Sequence, residues 1–429
     1  MARRFRSYLL LLVLSLPVFF RMATWGSPAR EPADPVAAGK GRELFEHVWT
    51  TGDPLAAAGD GLGPVFNENS CVACHRQGGV GGSGSRQNNV TTFTIRPLGA
   101  NQTARQGVVH AHAIDAIFQE TLTNVHPALA SALPIVPAVQ VQTSTSAMPG
   151  CDLRSVVFPP GVHVSQRKTP ALFGAKLIDG IPDRVIIAQE RMQRVKWGLA
   201  SSELESVPVG RALRTPQGKV GHFGWKAQTG TLLDFVQGAC ANELGLGNPG
   251  QAQPRSLAKP DYTPPGLDLT DEQCRQLAAF IEGLPRPIER LSQDPVQREY
   301  AVAGKLMFSK IGCADCHTPD LDSVTGIYSD LLVHRMGQGL EGGGSYNDPP
   351  LPIPDADPDA GPHPSEWRTP PLWGVANSAP YLHDGRANNL HEAIVGHGGQ
   401  GAVAARKYQQ AAQAEQAWLI AFLNTLQTP

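Results

Sequence analysis

Two five-residue units, Cys71-Val72-Ala73-Cys74-His75 and Cys313-Ala314-Asp315-Cys316-His317, limit what this chain can fold into more than any other feature. With 7 cysteines and 13 histidines in 429 residues, chance would supply about 0.003 such units. Cys-x-x-Cys-His is the attachment sequence of c-type haem: both thiols form thioethers with the haem vinyl groups, and the adjacent histidine binds the iron. A zinc site would need four ligands, with no reason for a histidine directly after the second cysteine in both units. A redox dithiol leaves both histidines unexplained. The expectation is two covalently bound haem c groups, attached at Cys71, Cys74, Cys313 and Cys316, with His75 and His317 as iron ligands. The fold must wrap two broad, flat, apolar cofactors.

The surroundings of the two units also repeat. Gly41-Arg42-Glu43-Leu44-Phe45 precedes the first and Gly304-Lys305-Leu306-Met307-Phe308 the second. Downstream, Lys168-Thr169-Pro170-Ala171-Leu172-Phe173-Gly174 is matched by Arg368-Thr369-Pro370-Pro371-Leu372-Trp373-Gly374. Each half closes on an amphipathic helix, with Leu277, Phe280, Ile281 and Leu284 answering Leu419, Phe422, Leu423 and Leu426. Thr270 is the expected N-cap of the first of these, and Gly283 with Pro285 its stop. The reading is a mainly α chain of two cytochrome c-like haem domains from an internal duplication, at 36–285 and 295–429. The halves are unequal: His75 to Thr169 is 94 positions and His317 to Thr369 is 52. The surplus in the N-terminal half reads as loop-rich and short β inserts, with Val90–Ile95 as a strand and Ala132–Gly150 as loop. Gly342–Pro364 reads as a further loop. Glycine and proline number 45 and 37, which suits many loops yet stays below the ~25–30% of disordered chains.

Arg3, Arg4 and Arg6 precede an apolar run from Tyr8 to Phe20, the charge-then-apolar order of a secretory signal. Residues 1–29 are therefore expected to be a signal peptide, cleaved near Ser27-Pro28-Ala29 or retained as an anchor, and the protein to be periplasmic. No run approaches ~18 apolar residues, so a multi-span membrane protein is excluded and any membrane contact falls to that anchor. A formal charge of −2 offers no footprint for nucleic acid.

Four further segments are distinctive: Phe66-Asn67-Glu68-Asn69-Ser70, Lys168–Asp183, Gly221–Pro249 with Asn242-Glu243-Leu244-Gly245, and Ala379-Pro380-Tyr381-Leu382-His383-Asp384-Gly385-Arg386. On these residues the chain resembles the di-haem oxidoreductases (putative peroxidases), within the bacterial di-haem cytochrome c peroxidase and methylamine-maturation superfamily. The resemblance covers nearly everything after residue 36. It implies a peroxidase-like oxidoreductase, in which electrons enter through a high-potential C-terminal haem and pass to a reactive N-terminal haem. It further implies a small donor cytochrome or cupredoxin as partner, peroxide or another oxidisable substrate, and allows calcium between the haem domains. One departure stands out. The peroxidases carry a tryptophan before an Asp-Gly between their haems, and Ile178 occupies that place here. No glutamate clearly matches their distal acid; Glu190 and Asp183 are the nearest carboxylates.

Function turns on the sixth iron ligand, because a strong one makes an electron carrier and an open position admits peroxide. In the C-terminal half Met336 is the expected ligand, glycine-flanked and placed as in the resembling family, with His334 as runner-up and Met307 assigned to the core. In the N-terminal half His110, His112, His126, His163 and His222 are not separated by spacing. His383 and His397 could contact haem edges or lie at the surface. Cys151, Cys240 and Cys274 are an odd set in which one pair could be bridged. Two other functional classes fit the same sequence. One is a non-catalytic di-haem electron-transfer cytochrome. The other is an oxidase or maturation enzyme acting at a distance through Trp225, Trp367 or Trp373.

Overall fold

The computed structural model describes residues 34–95, 105–129, 158–197, 207–343 and 362–429. The expected address segment, Cys151, the stretch 132–150 and most of the second loop lie outside these residues. Seven helices carry the architecture: α1 (Pro35–Glu46), α2 (Asp183–Trp197), α3 (Leu232–Leu244), α4 (Asp271–Glu282), α5 (Pro295–Ile311), α6 (Ala402–Gln410) and α7 (Gln413–Leu423). Their ends follow from local chemistry. Asp34 and Asp294 accept the Val36 and Val296 N–H groups, at 3.0 and 2.8 Å, and Pro35 and Pro295 fill the first helical positions. Thr270 caps α4 through a capping box with Gln273, as expected.

α1 packs on α4, and α5 packs on α7. Each crossing depends on a glycine. A Cβ on Gly41 would lie 1.8 Å from Gln276 O, and one on Gly304 would lie 1.9 Å from Trp418 O. One turn later Phe45 meets Phe280 at 5.0 Å between ring centres, and Phe308 meets Phe422 at 5.4 Å. The same two phenylalanines reach the proximal histidines, Phe45 at 6.1 Å from His75 and Phe308 at 6.4 Å from His317. The predicted apolar helix faces are thus the buried ones, and they form the floor beneath each Cys-x-x-Cys-His turn.

Among the described residues the fold is mixed rather than mainly α, with 37% helix and 14% strand. The strands come chiefly from the N-terminal insert, where the β-branched run Val90–Ile95 favours extended backbone. There β1 (Val90–Ile95) pairs antiparallel with both β2 (Arg105–Val109) and β3 (Val162–Arg167), aligning Phe93 with Gly107 and Val164. Phe93, Val109 and Val162 bury against Leu122 and Val125. A second pair, β4 (Val333–Arg335) and β5 (Glu366–Arg368), sets His334 opposite Trp367. Residues Ala33–Pro429 cluster as one compact unit. The core around α1, α3 and α4 also takes Ile327, Leu331 and Trp373 from the second half.

Candidate haem sites

Each Cys-x-x-Cys-His unit is a single tight turn on a cavity wall. The first, Cys71–Cys74, is capped by Ser70, whose Oγ accepts the Ala73 N–H at 3.3 Å. The second begins at Gly312, whose φ of 103° ends α5 and turns the chain directly into Cys313. A residue with a Cβ would be strained in that left-handed conformation. Burial pushes the Cys71 and Cys313 thiols up to about 12.

The two histidines are prepared alike. His75 Nδ1 donates to Gly82 O at 3.2 Å, and His317 Nδ1 donates to Tyr328 O at 3.0 Å. Burial, first among the causes for each, pushes both rings down to about 4, so each is neutral with its proton on Nδ1. A metal-binding imidazole is held in this way, its other ring N–H fixed by a backbone carbonyl.

The cavities differ in what faces the histidine. The second, of about 320 Å³, is lined by Cys313, Cys316, His317, Met336, Trp373 and His397 among others. His397 and His317 stand with ring centres 6.4 Å apart at 66°. Two metal–imidazole bonds of ~2.0–2.1 Å, plus about 1.1 Å from each nitrogen to its ring centre, would give about 6.3 Å. His397 Nδ1 donates to Ala393 O at 2.7 Å, and burial lowers its proton affinity, so it matches the proximal pattern. Met336 lines the same cavity, with its Cε 3.4 Å from where a Gly401 Cβ would sit, beside His397. The runner-up, His334, has both nitrogens engaged, Nε2 with Asp330 and Nδ1 with Gln400, each at 2.8 Å.

The first cavity, of about 110 Å³, is lined by Cys71, Cys74, His75, Phe45, Phe235 and Glu243 among others. Among the described residues no second imidazole and no methionine lines it. His110, His112, His126, His163 and His222 all lie away from both cavities. Glu243 is the group that sequence reasoning missed, although its motif Asn242-Glu243-Leu244-Gly245 had been singled out. Its Oε2 accepts from Asn67 Nδ2 at 2.7 Å, while Oε1 is buried with no hydrogen-bond partner. Burial, first among the causes, pushes this carboxyl up to about 7. Glu190 and Asp183 are structural instead. Glu190 accepts the Ala212 N–H at 3.1 Å and Asp183 the Val220 N–H at 2.9 Å.

Cationic side chains at the start of the matched segments, Lys168 buried and Arg368 half-buried, fit the acidic edge of a haem. Lys168 is buried, yet its Nζ makes only a long 3.5 Å contact to Thr169 O, and burial pushes it down to about 8. Arg368 donates from Nε to Gly224 O at 2.8 Å, but its Nη1 is buried without a partner. Unpaired buried donors are costly, and haem propionates would satisfy both. Between the cavities stands Trp225, which lines both. Its Nε1–H donates to Lys168 O at 2.8 Å and its carbonyl accepts the Arg368 N–H at 2.9 Å. Ile178 and Trp373 line the second cavity. Cys240 and Cys274 are buried free thiols. Among the described residues, Cys316, Asp330 and His334 are the one three-ligand grouping close enough for a single ion. This is not the all-oxygen set that calcium takes.

Two cavities, each with a Cys-x-x-Cys-His turn and a prepared imidazole, define a redox protein built for two haem groups. Residues 266–426 match the family described as "Di-haem oxidoreductase, putative peroxidase", which bears out the sequence resemblance over that stretch. No curated protein matches the chain. Among 33 matching solved chains is hydrazine synthase of Kuenenia stuttgartiensis, 16% identical, covering 61% of this chain and 73% of that one, with a TM-score of 0.35. Another is a MauG-like protein associated with microbial copper homeostasis, 18% identical, covering 58% of this chain and 90% of that one, with a TM-score of 0.28.

Proposed function

We propose that this chain is an exported, periplasmic di-haem c-type cytochrome working as a peroxidase-like oxidoreductase. Its haems are attached at Cys71/Cys74 and Cys313/Cys316, in two haem-binding halves related by duplication. The observation that carries the reading is the asymmetry between the cavities. His317 faces a second prepared imidazole, whereas His75 faces a cavity with a buried, half-satisfied carboxyl and, among the described residues, no second imidazole or methionine. His317 and His397 would hold the second haem between them, with His397 in the role expected of Met336. The first, held by His75, would be left open to a small substrate. The proposed direction of electron flow, toward the open site, rests on access rather than on a thioether.

When bound, haem supplies the iron that takes and gives electrons singly. The chain does the rest. Reduction of hydrogen peroxide to two waters consumes two electrons and two protons, and Glu243 Oε1 is the group placed to take up and return a proton in the first cavity. Phe45 and Phe235 keep that cavity apolar. Lys168 and Arg368 hold the acidic edges of the cofactors, and Trp225 bridges the two sites. A small cytochrome or cupredoxin is the proposed donor. The test is peroxide-dependent oxidation of a reduced donor by the pure di-haem protein. Turnover that falls by ~10²–10⁴-fold in Glu243→Gln is expected. Absence of turnover in the reductively activated wild type would contradict the peroxidase reading and favour the non-catalytic carrier.

A further inference from the structure

Behind Glu243, away from the cavity, lies a buried ion pair that the proposed reaction does not use. It is supplied by the segment 105–129, part of the insert specific to the N-terminal half. His110, which follows β2, is 2% exposed, and the Glu120 side chain is fully buried. Glu120 accepts three N–H groups: Oε2 from His110 Nδ1 at 2.8 Å and from the His110 backbone at 2.7 Å, and Oε1 from the Leu257 backbone at 2.6 Å. Glu120 thus uses both oxygens as acceptors. The other ring nitrogen of His110, Nε2, faces Asn242 O at 3.1 Å. Both ring nitrogens of His110 thus face oxygen acceptors, an arrangement that two ring N–H donors would fill.

That ring contacts the last turn of α3 at the carbonyl adjoining Glu243. The helix C-terminus favours a positive charge there, and the buried setting lets the charge act strongly on a neighbouring carboxyl. The same segment also aims the partner of Glu243. The Ala111 N–H donates to Asn67 Oδ1 at 3.0 Å, which turns the Asn67 amide so that Nδ2 reaches Glu243 Oε2.

We propose that His110, held as an imidazolium by Glu120, is a positioning residue that sets whether Glu243 holds or releases its proton in the first cavity. The inference rests on the reading of Glu243 as the proton-handling group of that cavity. Burial raises the Glu243 carboxyl, and the Asn67 hydrogen bond and then the His110 ring oppose this, leaving it at about 7. The carboxylate and cationic side chains that also line the cavity are Glu68, which works against release, and Arg167 and Lys168, which favour it; His75, Cys71, Cys74 and Cys240 are its other titratable groups.

The experiment follows the infrared carbonyl band of the protonated carboxyl in the holoprotein as a function of pH, with the band assigned by its loss in Glu243→Gln. In His110→Gln the midpoint should rise by about one pH unit, a tenfold gain in proton affinity. Glu120→Gln, which removes the reason for His110 to be charged, should raise it in the same direction. A purely structural role would lower the melting temperature and leave the midpoint in place, and that result overturns the proposal. If both variants fail to fold, the wild type decides through the nitrogen resonances of the His110 ring in the reduced, carbon monoxide-bound protein. Two bound protons at pH 8 support the proposal and a neutral ring overturns it. Peroxide reactivity that survives Glu243→Gln would remove the catalytic reading of Glu243, whereas the midpoint shift stands or falls separately.

Discussion

A buried carboxyl with one oxygen bonded and the other bare is hard to ionise, and Glu243 shows the consequence at the residue scale. The unfolded chain releases this proton near the ordinary 4.5, while the folded protein holds it to about 7. Between these values the folded state binds more protons, so stability falls as pH rises through that window. The loss is on the order of 3 kcal/mol in total. Denaturant unfolding at pH 5 and pH 7.5 should show this difference in the wild type, and Glu243→Gln should lack that share of it. His397 carries a second prediction at the same scale. His397→Ala should open the second haem to cyanide and alter its spectrum, leaving the first haem's spectrum as it was. An unchanged second haem would return the ligand role to Met336, which would also bring a higher potential.

At the scale of elements, two glycines decide whether the helix pairs close. Gly304→Val would place a Cβ 1.9 Å from Trp418 O, and overpacking of this kind costs about 1–3 kcal/mol or more. Gly39, two residues before Gly41 on α1, has nothing within 4 Å of its would-be Cβ. Gly39→Ala should therefore stabilise the protein by ~0.5–1 kcal/mol. Thermal melts of the two variants should move in opposite directions. Much at this scale was legible in the sequence because it is local. The Cys-x-x-Cys-His turns, the helix caps, the apolar faces of α4 and α7, and the strand Val90–Ile95 are each written in adjacent residues. What was not legible depends on convergence. Glu243 gains its meaning from Asn67 and from a cavity wall built on Cys71–His75. His397 is a candidate ligand only because it stands across from His317, and Lys168 and Arg368 matter because the one is buried with a single long contact and the other has a buried Nη1 without a partner. Spacing along the chain drew attention to Met336, whereas spacing in three dimensions favours His397.

At the scale of the whole molecule, the two cavities meet around Trp225. The chain has Ile178 where the resembling peroxidases have a tryptophan, yet an indole still lies between the sites, tied to Lys168 and Arg368. Trp225→Leu should slow electron transfer between the haems after rapid one-electron reduction, with both haem spectra unchanged. An unaltered rate would mean that electrons take another path, through Trp373 or directly between the haem edges.

The most direct test of one open and one closed haem is the number of carbon monoxide molecules bound by the fully reduced protein. The prediction is one per chain, at the haem carried by Cys71 and Cys74, rising to two in His397→Ala. Two in the wild type would show that His397 does not close the second haem, and none would show that the first is closed as well.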